Sequence, residues 1–577
     1  MCGIYFCYGD EKADQTCTKH ACLKNRGPDE LRCLSNGKAF SAFYRLAIVG
    51  IRDGMQPFVQ DGSTLLCNGE IYNHQWLEDR YSLKVKTKSD CECILHLYRE
   101  YGIEKTLELI DGEFAFIIYD SSKGVIHFAR DRLGRKPLFY SVDDKKIDIC
   151  SLYVGLEFTT KEQVVPRYLY TYNTQSSILT KQQYYAFIYR PTDVANQDLF
   201  WLFVEAVSKR VGQSERPVGF LLSGGFDSSL VLSTALEFAD LPSPPHAFTI
   251  GFSEDAPDVK AAELMVNYLR AKHGADCIKW HKVILPIEDG LYAIPDVIKA
   301  LETYDTTTIR ASTPMYLLSK YIKENTDVRV ILSGEGSDEL FGGYLYFKYA
   351  PDDQAFRAEI IDRMNELYLY DVLRADRSTA EHGLEIRPPF LDDQFVEATL
   401  QSYHLTKCVR NTKELIRECV ETEGLLPDEI LYGKKEAFSD AVGLSWKEAI
   451  VLDAKKFCDI LQSPASWVYD IPTRFVKDLL VYKDTPLSLN IPPETQEMKY
   501  FQILFANRFK DSWNVLPKLW LPNQNWVKTG VEPSARVLPN YSEPSNLSSH
   551  SHEPNVASDA SRSAEVVSEV HAEESVE

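Results

Sequence analysis

The sequence predicts a chain in two parts of different class: a β-rich, layered α+β part over residues 1–190, and an α/β part over 191–540 with a parallel sheet and a mainly helical C-terminal end. Three observations predict this. Up to about residue 150, short apolar strand-like runs are separated by turns, whereas from about 195 apolar runs alternate with long helical patterns. Residues 541–577 form a third texture, rich in Ser and Glu with no aromatic after Tyr541. Too little apolar area is available there to offset chain entropy, so a disordered acidic tail is expected.

In order along the first part, strands are expected at 3–8, 40–49, 65–68, 114–120 and 125–129, with one helix at 91–101. The second part should run strand 218–222, helix 229–238, strand 246–252, helix 261–273, helix 314–324 and strand 328–332. Such alternation implies a parallel sheet covered on both faces, with ligands beyond the strand C-termini. The patterns at 355–375, 413–423 and 446–461 are helical, and no internal repeat is present.

Composition narrows the function. A chain of 577 residues with 44% hydrophobic and 25% charged residues can bury large cores. Its net charge of -21 opposes general attraction to nucleic-acid phosphates or anionic membranes, so no nucleic-acid or membrane partner is expected. Thirteen cysteines lie scattered without a framework or a Cys-x-x-Cys knuckle, as suits a reducing, cytoplasmic setting better than a disulfide or zinc-thiolate scaffold. The N-terminus lacks a signal-peptide pattern, and the apolar stretches are strand-sized, far below the ~20 residues of a membrane helix.

Cys2 becomes the first residue if Met1 is removed. Its α-amine, which titrates near neutral pH, would then be a base beside its own thiol. A lone Met-Cys is more often the start of a strand. Arg26-Gly-Pro-Asp29 is a charged turn, Asn68-Gly-Glu-Ile-Tyr-Asn73 follows an apolar strand, and Ser89-Asp90-Cys-Glu92 opens the helix. Each alone reads as a turn or a cap. In this order behind Met-Cys-Gly-Ile, with Arg45-Leu-Ala-Ile-Val49 and Gly112-Glu-Phe-Ala-Phe116, they resemble the glutaminase domain of the class II, or N-terminal-nucleophile, glutamine amidotransferases, over roughly residues 1–140.

The resemblance implies a layered αββα fold and a set of roles. Cys2 would be the nucleophile, with Asn68 and Gly69 forming the oxyanion hole. Arg45 would pair with the α-carboxylate of glutamine and Asp90 with its α-ammonium. Backbone groups of Leu46, Ala47, Ile48 and Val49, together with Glu70, would complete the pocket.

In the second part, the expected strand 218–222 runs into Ser223-Gly-Gly-Phe-Asp-Ser-Ser229 and then a helix. Glycines allow a tight turn that aims amides at an anion, and the serines add hydroxyl donors. A Gly-rich turn capped by Ser is the bland alternative. Without Gly-Lys-Ser/Thr this is not a Walker loop. It looks like the pyrophosphate loop of enzymes that split ATP to AMP and pyrophosphate. Ser333-Gly-Glu-Gly-Ser-Asp-Glu339 follows strand 328–332, which should put both loops on one rim of the sheet. Asp227 and Asp338 are then natural ligands for Mg²⁺ bridging ATP oxygens, their alternative being helix capping.

Joined, the two halves resemble the asparagine synthetases over about residues 1–535, through Glu302-Thr-Tyr-Asp305, Thr307-Thr-Ile-Arg-Ala-Ser312, Leu373-Arg-Ala-Asp-Arg377, Glu385-Ile-Arg-Pro-Pro-Phe-Leu-Asp392 and Lys435-Glu-Ala-Phe-Ser-Asp440. The segment Asn411-Thr-Lys-Glu414 is shorter than the usual Gly-x-Glu-Lys. The resemblance implies ATP contacts from Leu222, Ser223, Gly224, Gly225, Asp227, Ser228, Ser229, Ile250, Ser333 and Gly334. Glu335 would serve aspartyl-adenylate formation and the attack of ammonia. Thr307, Thr308 and Arg310 would lie near aspartate and pyrophosphate, with Arg387 and Lys435 as further cations. Glutamine, aspartate and ATP are the implied substrates, Mg²⁺ the implied cofactor and a homodimer the implied assembly. The rival readings are an amidotransferase acting on another carboxylate, a synthetase that has lost its glutaminase, and a non-catalytic scaffold.

Overall fold

The computed structural model describes residues 1–9, 19–158, 160–190, 192–433, 442–443, 445–462, 475, 491–509, 515–530 and 538. The expected acidic tail and Lys435 lie outside them.

The first half contains β1 (Gly3–Tyr8), β2 (Glu30–Asn36), β3 (Ala39–Arg45), β4 (Phe58–Gln60), β5 (Ser63–Ile71), β6 (Gly112–Asp120), β7 (Val125–Arg130), β8 (Phe139–Asp143), β9 (Lys146–Cys150), β10 (Lys161–Gln163), β11 (Tyr168–Asn173) and β12 (Ile178–Gln183). They form two six-stranded sheets, ordered β10-β8-β9-β1-β3-β2 and β12-β11-β7-β6-β5-β4. Strand periodicity explains the layering. Ile4 and Phe6 of β1 pack with Ala115, Ile117 and Phe128 of the other sheet, whereas Tyr5 and Cys7 face the opposite way into the large core shared with the second half. The outer face of the second sheet, Leu65, Cys67, Phe116 and Ile118, is covered by Ile94, Leu97 and Tyr98 of the helix Glu92–Leu109.

Sequence expectation and structure differ at two informative places. The strand expected at 40–49 ends at Arg45, so 46–49 leave the sheet and keep their backbone groups for other partners. The expected 91–101 helix runs on to Leu109 through a break at Gly102, whose φ of 82° a side chain would resist.

The second half is built on β13 (Val218–Leu221), β14 (His246–Gly251), β15 (Lys279–Ile284), β16 (Val330–Leu332) and β17 (Glu385–Arg387), all parallel and ordered β15-β14-β13-β16-β17. From β13 the chain first winds one way to β14 and β15 and then returns to the other side with β16. The order therefore reverses between β13 and β16, where an open parallel sheet presents a crevice for ligands. Both Gly-rich loops leave these two neighbouring strands. Helices Phe226–Phe238, Pro257–His273, Ile287–Leu301 and Thr306–Asn325 provide the crossovers. The helical run expected at 355–375 is split into Asp353–Glu366, a 3-10 turn Leu367–Leu369 and Asp371–Ala380. Among the described residues no helix is long and apolar enough to cross a membrane.

Candidate active sites

The first site is assembled where β1 starts, β3 ends and β5 meets the helix Glu92–Leu109. Cys2 directly precedes β1, and its Sγ lies 3.7 Å from the carbonyl oxygen of Leu46, the first residue beyond β3. The Arg26 Nε donates to the Cys2 carbonyl at 3.1 Å, and its guanidinium is closed by Asp376 at 2.6 Å. Met1 is buried among Ala375, Ala380 and Ile386, its amine 3.9 Å from Glu385. While Met1 is attached, the nitrogen of Cys2 is an amide and no amine base stands beside the thiol. Burial then pushes the Cys2 thiol up to about 11. Thiolate is scarce in that state.

Asn68 lies on β5 opposite Ala115, fully buried, and neither its Nδ2 nor its Oδ1 has a hydrogen-bond partner. A buried carboxamide normally finds partners, because leaving it unpaired costs about 1–3 kcal/mol. Next to it, a Cβ on Gly69 would stand 2.1 Å from the Glu113 carbonyl oxygen, so only glycine allows this approach of β5 to β6. Asp90 is buried and accepts from the Ile71 amide at 2.7 Å; burial raises its pKa, opposed by that amide. Glu70 is also raised well above the usual carboxylate value by burial, against the pull of Arg387.

Arg45 is anchored by the Ile51 carbonyl at 3.1 Å and the Gly50 carbonyl, with Glu30 at 3.4 Å. Of the backbone groups expected to line the pocket, several are already engaged. Asp29 accepts from the Ala47 amide at 2.8 Å, Arg216 donates to the Ala47 carbonyl at 2.9 Å, and the Glu215 amide donates to the Ile48 carbonyl at 3.0 Å. The Val49 carbonyl lies 3.5 Å from Arg45.

The second site lies on the rim beyond β13 and β16. The Leu222 amide donates to Phe248 at 2.9 Å, and its carbonyl accepts from Thr249, which locks the loop to β14 beside the buried Ile250. Gly224 has φ 78°, and a Cβ there would lie 2.1 Å from the Ala262 nitrogen. Two reasons thus require glycine. Gly225 caps the helix Phe226–Phe238, the hydroxyls of Ser223 and Ser228 face each other at 3.0 Å, and the buried Ser229 hydroxyl has no partner. The two loops touch: a Cβ on Gly334 would come within 2.7 Å of the Asp227 Cβ. The Ser333 amide donates to the Arg387 carbonyl at 3.3 Å.

Asp227 and Asp338 converge on one point. The Lys413 Nζ lies 2.5 Å from Asp227 and 2.7 Å from Asp338. Two carboxylates converging on one cation are a donor set that would suit a hard dication. Glu335 is held by Arg374, which also reaches Asp371 at 3.1 Å.

The structure does not bring every expected residue to this rim with a free charge. The Arg387 guanidinium points at the other site, bonded to Glu70 at 3.1 Å, Glu385 at 2.8 Å and the carbonyls of Arg210 and Gln213. Its backbone, not its charge, borders Ser333. Arg310 is paired with buried Glu497 on the helix Gln496–Phe509 at 2.8 Å. The Thr308 hydroxyl donates to its own helix cap Asp305 at 2.7 Å, whereas the Thr307 hydroxyl is buried without a partner. Sequence reasoning gave no role to Lys413, Arg374 or Glu497. Lys413 lay in the segment 411–414 that departs from its family pattern and Arg374 in the family-like segment 373–377, whereas Glu497 is one charge among many on a helix.

Comparison with known proteins bears on both sites. Residues 1–194 match the glutamine amidotransferase domain, and residues 200–355 and 348–466 match asparagine synthase. The chain is 37% identical over 583 residues to a Gallus gallus protein named asparagine synthetase [glutamine-hydrolyzing], covering 94% of this chain and 99% of that one. The Homo sapiens protein of the same name is 35% identical over 588 residues, with 94% and 99% covered. A probable asparagine synthetase of Acanthamoeba polyphaga mimivirus is 35% identical over 585 residues, with 93% and 100% covered.

Proposed function

For a chain that belongs to the glutamine-hydrolysing asparagine synthetases, we propose that the two sites divide the work as follows. Once Met1 is excised, the new α-amine of Cys2 takes the thiol proton, and the thiolate attacks the carboxamide of glutamine. The tetrahedral oxyanion takes its hydrogen bonds from Asn68 Nδ2 and the Gly69 amide. The Cys2 α-ammonium returns that proton to the leaving nitrogen, so collapse releases ammonia and leaves a thioester, which water converts to glutamate. Arg45 holds the α-carboxylate of glutamine and Asp90 its α-ammonium, with Glu70, paired to Arg387, completing the pocket. The raised proton affinity of buried Asp90 is what an incoming ammonium would offset. The observation that carries this half is the Asn68 carboxamide, buried and unpartnered on the strand beside the Cys2 pocket.

In the second site, ATP lies over the loop from Leu222 to Ser229 and against Ile250, Ser333 and Gly334, with its phosphates on backbone amides and the Ser223, Ser228 and Ser229 hydroxyls. Asp227 and Asp338 would hold Mg²⁺, which when bound neutralises phosphate charge. Aspartate attacks the α-phosphorus through its side-chain carboxylate, pyrophosphate leaves, and ammonia displaces AMP to give asparagine. Thr307 offers a buried hydroxyl to the substrates; Glu335 positions aspartate or accepts the ammonia proton, and Lys435 adds a cation. Arg387 and Arg310 fit better as struts than as substrate ligands, since their charges are already paired.

The test is incubation of the purified protein with glutamine, ATP and a panel of amino acids, with AMP, pyrophosphate and product measured. Asparagine formed only with aspartate supports the reading. Equal turnover of another carboxylate would move it to a different amidotransferase. The implied homodimer is tested by sedimentation of the same preparation.

A further inference from the structure

Lys413 stands between the loops that follow β13 and β16 although it belongs to neither. It precedes the helix Glu414–Val420 in a left-handed conformation, φ 62°, that side chains resist, and is only 2% exposed. A buried ammonium needs paired charge, and this one has carboxylates from both loops, at 2.5 Å from Asp227 and 2.7 Å from Asp338. The aliphatic chain passes Gly343 so closely that a Cβ there would lie 2.5 Å from Lys413 Cε and 2.2 Å from Asp338 Oδ1. The lysine is thus fitted into a built slot and lies across the oxygens that suit a dication.

We propose that Lys413 is a tethered competitor for the divalent cation: in the nucleotide-free enzyme its ammonium occupies the place between Asp227 and Asp338, and Mg²⁺ enters only as it withdraws. This rests on the reading of those two aspartates as metal ligands. One position cannot hold an ammonium and a dication together, because their repulsion at such distances exceeds thermal energy. ATP phosphates give the displaced ammonium a new anionic partner, so metal loading is coupled to nucleotide arrival. Free Mg²⁺ alone has to displace the lysine without that compensation. Lys413 is a positioning residue in this scheme.

The test counts free Mn²⁺ by electron paramagnetic resonance while the full-length protein is titrated with and without ATP, the Mn²⁺ bound by ATP alone being subtracted. Wild type should bind Mn²⁺ weakly alone and tightly with ATP. Lys413→Met and Lys413→Gln, checked for folding by circular dichroism, should bind Mn²⁺ alone about tenfold tighter or more than wild type. Adding Asp338→Asn should remove that gain. Unchanged nucleotide-free binding in both folded variants, with ATP-dependent binding intact in wild type, overturns the competition while leaving the metal-site reading standing. ATP-dependent Mn²⁺ binding that survives Asp227→Asn plus Asp338→Asn overturns both. A second readout needs no variant: in wild type without ATP, saturating Mn²⁺ should increase acetic-anhydride labelling of Lys413 relative to exposed Lys456. Labelling that Mn²⁺ leaves unchanged would count against displacement.

Discussion

The two sites keep their polar groups ready in opposite ways. Beyond β1, β3 and β5, the pocket holds an unpartnered carboxamide at Asn68 and two buried carboxylates whose affinity for protons is raised by burial. Beyond β13 and β16, Asp227 and Asp338 share the single ammonium of Lys413 and Glu335 is paired with Arg374, much as Glu70 of the first site is paired with Arg387. Most members of the first site sit on or next to β1, β3 and β5, with Asp90 at the start of the helix Glu92–Leu109. Both sites also draw partners from far along the chain, Asp376 and Arg387 in the first and Lys413 and Arg374 in the second. A site for a neutral side-chain amide can leave its dipoles idle, whereas one for a polyphosphate has to store charge that would otherwise repel.

Substitutions can break this contrast. The largest effect is expected from Cys2→Ala, which should lower glutaminase turnover by ~10³-fold or more while synthesis from added ammonium persists. Mass spectrometry of active wild type should also show a chain beginning at Cys2. Glutamine hydrolysis at the parental rate by the variant would refute the nucleophile.

Asn68→Ala removes the idle carboxamide, and a glutaminase kcat lower by ~10²–10³-fold is expected. The fall in melting temperature should be small, since the carboxamide makes no hydrogen bond to the protein and only its packing is lost. A large fall in melting temperature with little change in kcat would make Asn68 a structural residue.

For Glu335→Gln the expected outcome is intact glutamine hydrolysis with asparagine formation down by ~10²-fold. Aspartate-dependent exchange of pyrophosphate into ATP then separates the two roles: lost exchange assigns Glu335 to activation, and retained exchange assigns it to the ammonia step. Wild-type synthesis from a folded variant would sink both.

The smallest effect sharpens the role of the buried network behind both sites. Glu113 is bonded to Lys136 at 3.1 Å and Arg210 at 3.0 Å. Burial would raise its pKa, but Lys136, Arg210 and Arg135 outweigh it and hold it down from 4.5 to about 2. A depressed carboxylate contributes stability that is present above its unfolded value and lost as pH falls through the folded one. Glu113→Gln should therefore cost on the order of 3 kcal/mol at pH 7, with the gap to wild type closing between pH 4.5 and 2. Urea unfolding at several pH values checks it, and a gap independent of pH would contradict the assignment.

Sequence by itself determined the local character of segments. A strand opening at Gly3 and Gly-rich loops directly after strands are each written in a few neighbouring residues, so periodicity and turn chemistry reveal them, whereas the part given to Cys2 came from the family resemblance, and Asn68-Gly69, expected as a strand end and a turn, lies inside β5. The strand Gly3–Tyr8 and the helix from Trp446 were legible to the residue at their starts for the same reason. Only the tertiary structure decided where long charged side chains end. Arg387 was expected beside anionic substrates, yet its guanidinium is bonded to Glu70, and Lys413 enters the space between Asp227 and Asp338 from a segment 186 residues away from Asp227. An arginine or lysine reaches several ångströms from its backbone, and the partner it chooses is set by which distant carboxylate the fold buries within that reach, a relation that no local pattern encodes.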